Sequence, residues 1–200
     1  MKYLILALFL VPLTANGQFT IGDKLVGGTF SLVIQGSPEN QNNSHLSKGT
    51  YFKINPQMGF FLNEKIALGG SIGYSVSNQK FKHLHGATSY SDSYSISVGF
   101  FVRRYFQISD NFFILLDGNP YYQHNSYENP SNSDLKGYSI GLSVKPVLSF
   151  FPSKNWGFEA SFGEIAFEHT DAFDQKINYF GLGLGSFNFG LTYYLYREKE

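Results

Sequence analysis

The sequence predicts an all-β fold: an eight-stranded antiparallel up-and-down transmembrane β-barrel. Three observations predict it. Apolar residues recur every second position in eight successive segments, the connections between segments alternate between short and long, and aromatic residues gather at the segment ends. The composition agrees, with 21 Phe, 14 Tyr and 21 Gly against two Met. Aromatic and glycine enrichment with few helix-formers favours strands.

The first seventeen residues read as a secretory signal. Lys2 supplies the positive end, Leu4 to Leu13 an apolar core of about ten residues, and Ala15 and Gly17 a small-x-small cleavage site. Cleavage after Gly17 leaves residues 18–200 as a single barrel domain starting at Gln18. The apolar run is shorter than the roughly 20 residues that span a bilayer, and no Cys follows it to carry a lipid anchor.

Each segment has an apolar face and a small or polar one. Val26, Gly28, Phe30, Leu32 and Ile34 share one face of the first; Phe52, Ile54, Pro56, Met58, Phe60 and Leu62 that of the second. The third has Ile66, Leu68, Ile72, Tyr74 and Val76, and the fourth Tyr94, Ile96, Val98, Phe100 and Val102. The fifth has Phe112, Ile114, Leu116, Pro120 and Tyr122, and the sixth Tyr138, Ile140, Leu142, Val144 and Leu148. Phe158, Ala160 and Phe162 mark the seventh, in which Glu164 falls on the apolar face unless the strand bulges there. The eighth changes phase between Leu184 and Phe187, which predicts a bulge near Gly185. Pro56, Pro120 and Pro146 cannot donate to a ladder, so bulges are expected beside them.

Asn63 to Lys65, Ser109 to Asn111 and Pro152 to Asn155 read as tight turns; Gly36 to Lys48, Asn78 to Ala87, Asn125 to Asp134 and His169 to Ile177 read as long polar loops. An even strand number with short turns on one side and long loops on the other is the pattern of a membrane barrel. The second face, rich in Gly, Ser and Ala, suits the narrow interior of eight strands better than a solvated exterior. Aromatic residues near the tight turns (Phe60, Phe61, Tyr105, Phe106, Phe112, Phe113, Phe150, Phe151, Trp156) and near the loops (Tyr51, Phe52, Tyr90, Tyr121, Tyr122, Phe167, Tyr179) read as two girdles.

Several stretches resemble the OmpA/OmpX-like outer-membrane β-barrel family. They are I-N-P-Q-M-G-F-F-L-N-E-K-I-A-L-G-G-S-I-G-Y at Ile54 to Tyr74, V-R-R-Y-F at Val102 to Phe106, W-G-F-E-A-S-F-G at Trp156 to Gly163, and the aromatic-rich F-G-L-T-Y-Y-L-Y at Phe189 to Tyr196. The chain departs from the family by running on through Arg197 to Glu200. The resemblance implies a place in a bacterial outer membrane. It implies contact with outer-membrane lipid and lipopolysaccharide, and insertion by machinery that reads the final strand. The motifs specify the barrel and no activity.

With no Cys, thiol catalysis, disulfides and thiolate metal sites are excluded. Removal of Lys2 leaves 14 basic residues against 15 acidic, which gives nucleic acid no electrostatic footprint. No cofactor is expected. Five charges fall on the inward face: Lys53, Arg103, Asp117, Lys145 and Glu159. Folding the hairpin at Ser109 to Asn111 sets Arg103 opposite Asp117, and folding at Pro152 brings Lys145 within diagonal reach of Glu159. The expectation is an interior ion network in which loss of Asp117 strands Arg103; an ion gate or proton path is the alternative.

All five histidines (His45, His83, His85, His124, His169) fall in or beside the long loops and could together take a metal ion, haem or proton. Loops collect polar residues in any case, and no metal site is assigned. In Q-H-N-S-Y-E at Gln123 to Glu128, the His124, Ser126 and Glu128 side chains offer the parts of a hydrolytic triad. The stretch resembles the outer-membrane lipid A deacylases but carries Tyr127 where they follow the Ser with Asn, so the oxyanion donor is missing. The glycines of G-L-G-L-G at Gly181 to Gly185 follow no strand-to-helix transition and read as strand glycines, not as a nucleotide loop. The reading that results is a structural or surface-interaction barrel with a filled lumen and four outward loops for contact or binding, and no catalysis. A small channel and a lipid-modifying enzyme are its rivals.

Overall fold

The computed structural model describes residues 18–36, 45–82, 88–128, 135–172 and 175–197. The signal segment, His83 and His85 lie outside them.

Eight strands form one closed barrel in sequence order. They are β1 (Lys24–Gly36), β2 (His45–Asn63), β3 (Ile66–Lys82), β4 (Thr88–Ser109), β5 (Phe112–Glu128), β6 (Leu135–Phe150), β7 (Trp156–Ala172) and β8 (Gln175–Leu195). All neighbours pair antiparallel, and β1 meets β8 to close the ring. The tight turns fall where expected. That between β2 and β3 is fastened by Asn63, whose Oδ1 accepts from the backbone N–H groups of Lys65 and Ile66 at 2.8 and 2.9 Å.

The strands run further toward the loop side than the apolar alternation does. β4 is 22 residues long, about twice what a spanning strand needs. Ser, Thr and Tyr keep their ladder hydrogen bonds beyond the apolar band, so pairing continues where the hydrophobic signal ends. His45, His124 and His169 therefore sit on strands, not in loops.

The two faces decide the solvent. Ile72, Phe100 and Met58 point outward and are exposed, as are most of the other apolar residues assigned to that face; Ile66, Leu68, Val76, Leu116 and Val144 are half-buried. Buried polar residues such as Arg103, Asp117, Ser143 and Glu159 point inward. A barrel with apolar side chains outside and polar ones inside is inverted relative to one that folds in water, and its exterior suits hydrocarbon.

The phase changes are present as bulges. Between β7 and β8 the register passes from Phe162↔Phe187 to Glu164↔Gly183, so three residues of β8 oppose Gly163 alone. Gly163 has φ +74, a conformation open to glycine. Of the prolines, only Pro146 lies beside a register shift, between Val144 and Val147. At Pro56 and Pro120 the ladder lapses on one side, without a shift, between Ile54↔Tyr74 and Gln57↔Ser71 and between Gly99↔Tyr121 and Val102↔Gly118. The same number of residues is left out on both strands, so alternation survives.

The girdle expected at the tight-turn end is divided. Phe60, Phe112, Phe150 and Trp156 do face outward, but Phe61, Tyr105, Phe113 and Phe151 turn inward and are buried. Adjacent aromatic residues on a strand must point to opposite faces, so each Phe-Phe pair supplies one ring to each. The inward rings gather with Tyr194 around Phe19, which precedes β1 and stacks on Phe61 at 4.1 Å. Asp23 holds that N-terminal segment in place: its carboxylate accepts from Thr20 N at 2.7 Å and from Arg197 N at 2.8 Å, tying both ends of the chain together.

Candidate functional site

Immediately inside the aromatic cluster lies the ion network. Arg103 on β4 pairs in register with Asp117 on β5, as expected. Its Nε and Nη2 donate to the two Asp117 carboxylate oxygens, both at 2.7 Å, and its Nη1 donates to Glu159 Oε1 on β7, also at 2.7 Å. Planar guanidinium geometry allows this bidentate grip on one carboxylate while a second is held from the side. The side chain thus spans from one wall to the opposite one, and Arg103 is only 1% exposed. Phe101 packs beneath the guanidinium at 5.8 Å. The lumen has room for that ring because Gly59 and Gly69 lack side chains: a Cβ on Gly69 would lie 2.4 Å from Phe101 Cζ.

Lys145 departs from expectation. It does not meet Glu159; its Nζ lies 3.6 Å from Glu164 Oε2. The turn between Phe150 and Trp156 is the cause: it centres beyond Pro152 and sets Glu159 opposite Ser149, four residues from Lys145, while the register shift between Val144 and Val147 carries Glu164 up beside Lys145. The bulge at Gly163 then turns Glu164 inward, which removes it from the lipid face where unbroken alternation would put it. Lys53 is the fifth inward charge and makes no ion pair with any described residue.

Toward the loop side of Arg103 the lumen opens into a polar cavity of about 210 Å³, lined by all five charges and by Gln57, Glu164 and Glu168 among others. Three of its features escaped the sequence reading. Tyr121, assigned to a girdle, turns inward and donates to Glu168. Glu168 was hidden beside the supposed loop at His169. Gln57 carries no charge and belongs to no motif, yet its Nε2 is buried without an acceptor. Two-residue counting continued past Pro120 would have placed Tyr121 correctly, but nothing in the local pattern marks Gln57.

His124 and His169 are not brought together. His124 pairs with Tyr138 and His169 with Ile140, so a strand separates them. His169 Nδ1 is engaged by Asn178 Oδ1 at 2.7 Å. Among the described residues, no group of three His, Cys, Asp or Glu side chains could hold a metal ion. Ser126 is buried whereas His124 is exposed on the same strand, and no hydrogen bond joins them.

Solved structures of similar shape include the outer membrane protein OprG from Pseudomonas aeruginosa, at 13% identity and TM-score 0.52, covering 91% of this chain and all (100%) of that one. This chain has the fold of the eight-stranded outer-membrane β-barrels. Neisserial surface protein A is 15% identical over 86% of this chain and 96% of its own, at TM-score 0.49. At such identities the likeness is one of fold. Neither a family model nor a curated protein sequence matches the chain. The barrel's interior therefore has to be read from its own side chains.

Proposed function

We propose that the protein is an integral barrel of a bacterial outer membrane whose lumen is closed and whose loop side serves contact with molecules outside the cell. One observation carries the reading: the Arg103 bridge to Asp117 and Glu159, seated on the aromatic cluster around Phe19, leaves the tight-turn end without an aqueous path. Eight strands enclose a lumen that side chains can fill, and paired charge and stacked rings occupy its tight-turn end. The exterior supports contact with outer-membrane lipid and lipopolysaccharide, and the aromatic-rich β8 fits recognition by the insertion machinery. The role that follows is structural and interactive, with the loop side as the contact surface.

The test is conductance in planar bilayers. The wild-type barrel should show no steady large openings, and combined loss of Phe19 and Arg103 should introduce them. Steady openings in the wild type would make a channel the better reading. Capture of outer partners by the intact barrel, and its loss from barrels with shortened loops, would test the contact role.

A further inference from the structure

The barrel wall is zipped unevenly. β1 and β8 pair from Lys24↔Leu195 to Phe30↔Phe189, and no rung beyond Phe30 joins them among the described residues. Yet β1 continues along β2 to Gly36↔Lys48, and β8 continues along β7 to Ala172↔Gln175. In the zipped half the two strands approach closely over glycine: a Cβ on Gly27 would lie 2.5 Å from the Leu191 carbonyl oxygen. In the other half Gly183 faces open space, with nothing within 4 Å of where its Cβ would stand. The break begins where β8 carries its extra residues opposite Gly163, and a bulge bends its strand away from a neighbour.

The two free edges are strongly apolar. Ile34, Phe180 and Leu184 are 75, 75 and 77% exposed, the highest values among the large hydrophobic side chains described. Val33, which alternation turns inward, is exposed as well. Behind the break lies the polar lumen cavity, and its lining includes Ser31 and Phe30 from one edge and Asn188 and Gly190 from the other. Ser31 and Asn188 are the first residues of the two strands beyond the last rung, so the cavity lies directly behind the break. Open strand edges at membrane depth are tolerated where they line a water-filled cavity, which is the situation here.

The cavity offers unused donors next to this opening. Lys53 and Gln57 lie on the inward face of β2, across from Ser31 and Gly27 of β1. Lys53 has no ion-pair partner among the described residues, and Gln57 Nε2 is buried with no acceptor. A cation and an amide donor behind an apolar slot complement one kind of molecule. We propose that the break between β1 and β8 is a lateral port that admits a single-chain amphiphile with a carboxylate head. The head sits in the lumen cavity at Lys53 and Gln57; the chain lies in the slot against Val33, Leu182 and Leu184. The Arg103 bridge closes the far end, so the site is a blind receptor and not a passage. This proposal rests on the membrane reading above.

The test uses the full mature barrel refolded in a neutral maltoside detergent, with cis-parinaric acid, a fluorescent long-chain carboxylate, as the probe. Fluorescence should rise saturably and fall when palmitate is added, but not when methyl palmitate is added. Gly183→Phe, which fills the slot, and Lys53→Gln, which removes the cation, should each weaken binding about tenfold or more, and Lys53→Arg should retain it. A heat-dependent gel shift confirms that each variant is folded; should Gly183→Phe fail it, the Lys53 pair decides. Non-saturable uptake, equal competition by the methyl ester, or wild-type binding by folded Gly183→Phe or Lys53→Gln would overturn the proposal. So would a disulfide between two copies of Ile34→Cys in an otherwise cysteine-free chain, since the slot would then be covered by a second barrel. Flotation of the protein with liposomes reports membrane integration separately, so failure of the port and failure of the membrane reading give different results.

Discussion

Arg103 carries one charge and faces two carboxylates, Asp117 and Glu159, in a space closed to solvent. That arithmetic reverses the expected outcome of mutation. With Asp117 alone as partner, Asp117→Ala would strand a buried cation. With Glu159 still in place it leaves a matched buried pair, so Asp117→Ala strands no charge and should cost less than removal of the arginine. Arg103→Met instead leaves two buried carboxylates without a cation and should cost roughly 3–5 kcal/mol, the range for breaking a buried pair. Adding Asp117→Leu to Arg103→Met should recover part of that loss. Urea unfolding of the four proteins in lipid vesicles checks the order, and equal losses from the two single variants would contradict the network. At the same scale, Phe19→Ala empties the centre of the aromatic cluster and should cost about 3–5 kcal/mol.

At the scale of the element, β7 depends on Gly163. Its positive φ allows the bulge that turns Glu164 toward Lys145 and keeps the apolar side chains beyond it, Ile165 and Phe167, facing outward. A Cβ there would lie 2.7 Å from the Gly183 carbonyl oxygen as well as adopting a conformation that branched residues avoid. Gly163→Val should therefore cost about 1–3 kcal/mol through backbone strain, read as a lower urea midpoint. The same substitution at Gly118, where a Cβ would meet only the Val102 carbonyl oxygen at an ordinary 3.8 Å and φ is not positive, should be tolerated much better. Equal effects at the two positions would show that the bulge is not what Gly163 supplies.

For the whole molecule, closure of the sheet sets the mode of unfolding. A ring has no free edge at which pairing can begin to unravel, but this ring is held between β1 and β8 over the Lys24 to Phe30 half alone. Unfolding should start at that seam. Hydrogen exchange should find Leu32 to Gln35 of β1 less protected than Phe100 to Tyr105 of β4, which pair on both sides for most of their length. Uniform protection around the barrel would mean that the seam closes in solution.

The number of strands, their order and the face each residue presents were legible in the sequence, because an up-and-down barrel is built from local hairpins with a period of two. The pairing of Arg103 with Asp117 was legible for the same reason: one tight turn fixes both positions. The partners of Glu159 and Lys145 were not: the turn between Phe150 and Trp156 centres beyond Pro152 and sets Glu159 opposite Ser149, and the bulge that brings Glu164 beside Lys145 is only half visible in one strand's pattern. Which ring of each Phe-Phe pair points inward follows from alternation, but that these rings meet Phe19 at one end of the lumen depends on strands distant in sequence. The incomplete seam lies deepest. It joins the first strand to the last, so no local spacing reports it, and only the closed tertiary structure decides where the zipper stops.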